Sequence, residues 1–181
     1  MRIMGVDPGT LITGFGVIDC EQGKMSLVEY GVIRTKAAWS MPLRLRKIYT
    51  DLLEVIERSA PDEFAIESAF YSKNVQSTLK LGHARGVSIL AAVLREIPTS
   101  EYAPREVKQA VTGNGGSSKE QVEFMVMSML KITQRHEFLD ASDALSIAIC
   151  HANRMSSPQK SKARSWKQFI IDNPDRVIIP Q

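Results

Sequence analysis

Three runs of β-branched and apolar residues fill the first 34 positions, at 3–7, 14–20 and 25–34, and the turns between them are only a few residues long. Strands joined so tightly pair with their chain neighbours, so an antiparallel meander is predicted. The period then changes. Leu43, Leu45, Ile48, Leu52, Val55 and Ile56 recur at helical spacing after Pro42, and Pro61-Asp62 ends the run. Residues 63–67, Glu-Phe-Ala-Ile-Glu, suit a short buried strand; 75–96 read as a long helix and 99–103 as a fifth strand. Pro104 opens a helix at its first position, where a missing N–H costs little. Ser117-x-x-Glu120 reads as a capping box for a helix to about residue 131, and a last helix covers about 140–154. This order predicts an α/β fold, a mixed five-stranded sheet flanked by helices. Gly82 and Gly86 lie four apart on the long helix, which serves either close packing on the chain's own sheet or a seam between two copies.

At 181 residues with 44% hydrophobic and 24% charged positions, the chain supports one globular core and is too short for architectures that need two lobes. The longest apolar run, 87–94, is far below the roughly 20 residues of a membrane span, so no membrane role is expected. A carboxylate at position 7 interrupts the N-terminus before a secretion signal forms, and the expected location is cytoplasmic. Cys20 and Cys150 show neither disulfide nor zinc-ligand spacing and read as small core residues. From Arg154 onward six basic residues face two acidic ones, whereas the rest of the chain carries 17 basic and 18 acidic. Residues 1–154 therefore read as one domain and 155–181 as a basic tail, in which Trp166, Phe169 and Ile170 can anchor a short helix. Such a tail suits an anionic partner, and equally a solvated one that aids solubility.

Four carboxylates carry the chemistry. Asp7 ends the first apolar run at Pro8-Gly9, Glu67 ends the run Phe64-Ala65-Ile66, and Asp140 and Asp143 lie three apart near the start of the last helix. Taken singly, each has an ordinary explanation as a turn aspartate, a paired buried glutamate or an acidic helix start. If the first and fourth strands are neighbours and the last helix packs on them, the four converge and repel one another. A hard divalent cation resolves that repulsion through oxygen ligands. Two such ions about 4 Å apart form the clamp that cleaves phosphodiesters.

The motifs Met4-Gly5-Val6-Asp7-Pro8-Gly9-Thr10, Ala65-Ile66-Glu67, Leu79-Lys80-Leu81-Gly82-His83-Ala84-Arg85-Gly86, Val107-Lys108-Gln109 and Asp140-Ala141-Ser142-Asp143-Ala144 occur in this order. Together they resemble RuvC, the bacterial Holliday-junction resolvase family, over residues 1 to about 154. The resemblance implies a ribonuclease H-like fold, a homodimer, and magnesium-dependent paired nicking of two strands of a four-way junction in DNA recombination and repair. Magnesium, two ions per subunit with manganese able to replace it, would be held by Asp7, Glu67, Asp140 and Asp143. Partnership with the branch-migration proteins RuvA and RuvB is implied in the same way. Phe70 matches an aromatic near the junction centre, where unpaired bases offer stacking. Tyr71 beside it is left open. Lys108 and Lys119 match basic positions of the family and are expected near helix starts as phosphate contacts, with Lys73 and Arg85 as further candidates. His83, His136 and His151 read as structural, since His151 lies eight residues beyond Asp143, about 12 Å along a helix.

Three other readings compete. Asp-Pro-Gly-Thr before a Gly-x-Gly strand also resembles the phosphate loop of actin-like and sugar-kinase ATPases, but those need two lobes. Residues 113–116 lack the Gly-Lys-Ser/Thr ending of a nucleotide loop, so no nucleotide cofactor is expected. A non-catalytic junction-binding protein has no use for four carboxylates set against a polyanion. A related nuclease acting on RNA or another branched substrate differs from the junction reading only by the motif resemblance.

Overall fold

The computed structural model describes residues 1–68, 75–133 and 139–156. Five strands, β1 (Arg2–Asp7), β2 (Ile12–Glu21), β3 (Lys24–Arg34), β4 (Glu63–Glu67) and β5 (Thr99–Tyr102), form one sheet in the order β3-β2-β1-β4-β5. The meander β1-β2-β3 is antiparallel, while β4 and β5 run parallel to β1. Gln22 and Gly23, both at positive φ (49° and 78°), make the tight turn that reverses β2 into β3. The sheet is thus mixed as the strand order predicts, and β1 and β4 are neighbours.

Helices α1 (Met41–Ser59), α2 (Val75–Val93), α3 (Pro104–Thr112), α4 (Lys119–Leu130) and α5 (Leu139–Ser156) cover the two faces. On one face, Met4, Val6, Val17, Phe64 and Ile66 pack with Ile48, Leu52 and Val55 of α1 and Ala84, Ala91 and Ala92 of α2. On the other, Ile3 and Ile18 pack with Val122 and Val126 of α4 and Leu145, Ala148 and Ile149 of α5. Each fully buried Val, Leu, Ile, Phe or Met among them contributes about 1.5–3 kcal/mol. Leu43, counted by its spacing in the apolar stripe of α1, is instead 43% exposed, because it sits in the first turn beyond the reach of the sheet. Cys150 is buried as expected, but Cys20, near the end of β2, is only partly covered. Among the described residues no helix is long and apolar enough to cross a membrane.

Two helix boundaries differ from the sequence reading. The cap of α4 is Ser118, whose hydroxyl accepts from the Gln121 N–H, while the Gln121 side chain accepts from the Ser118 N–H. The capping box is therefore shifted one residue from Ser117-x-x-Glu120. Ser117 is buried against Thr112 instead, hydroxyl to hydroxyl at 2.8 Å. The long helix ends at Val93, with Glu96 in the left-handed region (φ 58°) before β5.

Candidate active site

Parity along the strands decides which side chains meet. Ile3 belongs to the cluster under α4 and α5, and Met4 and Val6 to the cluster under α1 and α2. Alternation then carries Asp7 to the α5 face. Ala65 packs with Ile147 and Cys150 of α5, so Glu67, two residues on, takes the same face. The parallel register Val6↔Ile66 sets Glu67 beside Asp7 at one end of the sheet. The first turns of α5 bring Asp140 and Asp143 to that end. They can do so because the strands beneath are bare: a Cβ on Gly14 would lie 1.9 Å from the Asp140 carbonyl oxygen, and one on Gly5 would lie 2.2 Å from that of Ala144.

Asp7, Glu67 and Asp143 line a cavity of about 360 Å³ together with Pro104, Val107, Lys108, Lys119, Val122 and Ser146. Asp140 is not in its lining, although its charge acts on Asp7. Burial, followed by the charges of Glu67, Asp143 and Asp140, pushes the Asp7 carboxyl up to about 8. Burial and the Asp143 charge raise Glu67 in the same direction. A larger hollow of about 720 Å³ on the far side of α3, lined by Tyr102, Arg105, Glu106, Cys150 and Arg154 among others, contains none of the four carboxylates.

Two lysines face the carboxylates. Lys119 is the first residue of α4, and its Nζ donates to Asp143 Oδ2 at 2.8 Å, which raises its own pKa. Lys108 lies in the middle of the nine-residue α3 rather than near a helix start, so a helix terminus is not what would attract an anion to it. Its Nζ donates instead to the Ser117 carbonyl at 2.6 Å, tying α3 to the loop that delivers Lys119.

Arg85 is absent from the cavity lining; it pairs with Glu101 of β5. His151 is buried, and its Nδ1 shares a 2.8 Å hydrogen bond with the Tyr102 hydroxyl. His83 is exposed on α2. Phe70, Tyr71, Lys73, His136 and residues 157–181 lie outside the described residues. The sequence reading missed Gly14 as the residue that lets α5 approach; the Gly-x-Gly inside a strand was its signal.

The donor set at this end of the sheet is carboxylate oxygen throughout, which suits hard divalent ions. A carboxyl pushed up to about 8 by burial and by three like-charged neighbours marks a site short of positive charge, which a cation would supply. Among the described residues, no three Asp, Glu, His or Cys side chains stand close enough to hold an ion as they are. Lys119, rather than a third carboxylate, is the group now in contact with Asp143.

The family model of crossover junction endodeoxyribonuclease RuvC matches residues 3–151. The chain belongs to the RuvC family. A RuvC from Salinibacter ruber is 44% identical over 177 residues, covering 98% of this chain and 99% of the relative. That from Bacteroides fragilis is 46% identical over 178 residues, with 97% and 95% covered. Thermus thermophilus RuvC, solved in complex with a Holliday junction substrate, superposes with a TM-score of 0.81 at 32% identity, covering 86% of this chain and 94% of that one. The fold is accordingly the ribonuclease H-like fold of RuvC, and the chain is an endodeoxyribonuclease of that family.

Proposed function

We propose that this RuvC resolves four-way DNA junctions by magnesium-dependent paired nicking of two strands of like polarity, in recombination and repair. The observation that carries the reading is the cavity in which Asp7, Glu67 and Asp143 face Lys108 and Lys119. Asp7, Glu67, Asp143 and Asp140 would hold two ions per subunit, with manganese able to replace magnesium. When bound, such ions supply a nucleophilic water and stabilise the leaving oxygen. The protein's own part is to gather the carboxylates on one face and to exclude bulk water. Lys119, released from Asp143, then donates to the scissile phosphate, and Lys108 keeps two further N–H donors for a neighbouring phosphate. Phe70 stacks on an unpaired base at the crossover and Lys73 contacts phosphate in this reading, whereas Arg85, held by Glu101, supports α2 against β5.

A second copy completes the enzyme. Val75, Leu79, Gly82, Gly86, Leu90 and Val93 fall on one side of α2, opposite the buried Ala84, Ser88 and Ala91. Val75 is 70% and Leu79 60% exposed, and nothing lies within 4 Å of a Cβ added at Gly82 or Gly86. This open face favours the seam over packing on the chain's own sheet, and a two-fold dimer presents two equivalent sites to a two-fold junction. RuvA and RuvB are the family's implied partners, and the substrate places the activity in the bacterial cytoplasm.

The test incubates the protein and Asp7→Asn with a synthetic four-way junction, a matched duplex and an RNA hybrid, with and without magnesium. Paired nicks in the junction alone, needing both magnesium and Asp7, are expected. The variant should lose at least about 100-fold in rate, as when one charge-stabilising group leaves a preorganised site, and keep its junction affinity. Cutting of duplex or hybrid instead would discard the substrate.

A further inference from the structure

Between residues 34 and 50 the chain carries five basic residues, Arg34, Lys36, Arg44, Arg46 and Lys47, and no acidic one. None of them lines the carboxylate cavity. The segment runs from the end of β3, the edge strand of the sheet, through a turn into α1.

Its position follows from the register. Asp7 pairs with Gly14, and Gly14 with Val32, so Arg34 lies two residues further toward the end of the sheet that carries the carboxylates. The two regions are tied together: the Thr35 N–H donates to the Leu11 carbonyl at 2.9 Å, and the Thr35 hydroxyl donates to the Thr10 carbonyl at 2.7 Å. Thr10 and Leu11 belong to the turn that follows Asp7. These bonds fasten the start of the basic segment to the turn that follows Asp7.

The five charges do different things. Lys47 pairs with Asp51 at 2.6 Å, and Arg44 donates to the carbonyls of Trp39 and Ala37, pinning the turn to α1. Lys36 and Arg46 are exposed and, among the described residues, have no carboxylate partner. Lys36 stands 5.8 Å from the Trp39 ring centroid, which orders its stem. Arg46 rims a hollow shared with Trp39, Leu43 and Thr50.

We propose that this edge grips the sugar–phosphate backbone of a duplex arm leaving the junction, with Lys36 and Arg46 as its phosphate contacts. Arg34 and the segment after it leave the sheet at the same end as the carboxylates, so an arm with one strand at the carboxylates brings further phosphates toward this basic segment. The charge is complementary, and the edge is continuous with the cleavage site. Because phosphates are alike, the contact sets the direction of the arm and not the sequence that is cut. The inference rests on the junction-cleavage reading, since it gives the second anchor of the same substrate.

The experiment measures binding of a labelled four-way junction and of a linear duplex by fluorescence anisotropy, in chelator, over a series of potassium chloride concentrations. It compares the wild-type chain with Lys36→Gln/Arg46→Gln and with the charge-keeping pair Lys36→Arg/Arg46→Lys. The glutamine pair is expected to flatten the slope of log affinity against log salt by about 1.8 per protomer engaged, 0.9 for each lost phosphate contact. The charge-keeping pair should retain the wild-type slope. Single-turnover cleavage at saturating protein should stay within about 3-fold of wild type, with only the half-saturating protein concentration raised. A glutamine-pair slope within about 0.5 of wild type would overturn the proposal. Wild-type protein that binds duplex as tightly as junction would instead overturn the junction reading, and the slope difference on duplex would still decide the edge.

Discussion

Asp7 shows how one residue's surroundings set both its chemistry and its cost. Its carboxyl, ordinarily near 3.8, is pushed up to about 8 by burial and by three neighbouring carboxylates. The native state therefore binds a proton there more tightly than the unfolded chain does between those values. Stability from this group is complete below about pH 4, falls as pH rises through the window, and is lost above about 8. In chelator, the wild-type melting temperature should drop more steeply between pH 6 and pH 9 than that of Asp7→Asn, which lacks the group. A difference of about 2–4 °C answers to 1 kcal/mol in a chain of this length, and added magnesium should restore the wild type at pH 9. Parallel curves for the two proteins would mean that Asp7 is solvated and unstrained.

Among the elements, α5 is the one on which the site depends, because it carries two of the four carboxylates and lies directly on β1 and β2. The contact is backbone to backbone at Gly5 and Gly14. Gly14→Ala would place its Cβ 1.9 Å from the Asp140 carbonyl oxygen, so the first turn of the helix must retreat. We expect a stability loss of about 1–3 kcal/mol from overpacking and a loss in single-turnover cleavage of about 100-fold, since a displacement near 1 Å is enough. Junction affinity should change little, because the basic side chains stay in place. An unchanged rate would show that Asp140 and Asp143 are not held by this contact. The motif around Asp140 was readable as a motif. Its closeness to Asp7 was not, because that closeness depends on a glycine far away in sequence.

For the whole molecule the question is what covers the outer side of α2. Leu79→Glu puts a charge in the middle of the exposed apolar stripe, where it meets water in a single chain and its own copy in a two-fold pair. Sedimentation at micromolar concentration should show a dimer for the wild type and a monomer for Leu79→Glu, with the melting temperature of the monomer fold lowered by no more than a few degrees. The variant should still bind junctions weakly and should lose paired nicking before single nicking. A dimer that survives the charge would place the seam elsewhere.

Local patterns were enough to read the strand and helix order, the mixed sheet and the four acidic positions, because hydrophobic period, proline, glycine and caps act over a few residues. The capping box slipped by one, since Ser117 and Ser118 offer the same hydroxyl and only the packing of Thr112 chooses between them. The place of Lys108 within α3, and its hold on the Ser117 carbonyl, also needed the fold. So did the pairing of Arg85 with Glu101. These are contacts between segments distant in the chain, and no local pattern encodes them. Which carboxylates share a cavity was decided when strand parity and the bare glycine backbone brought α5 down onto the sheet, and which side of α2 stays open by its packing with α1 on the opposite face.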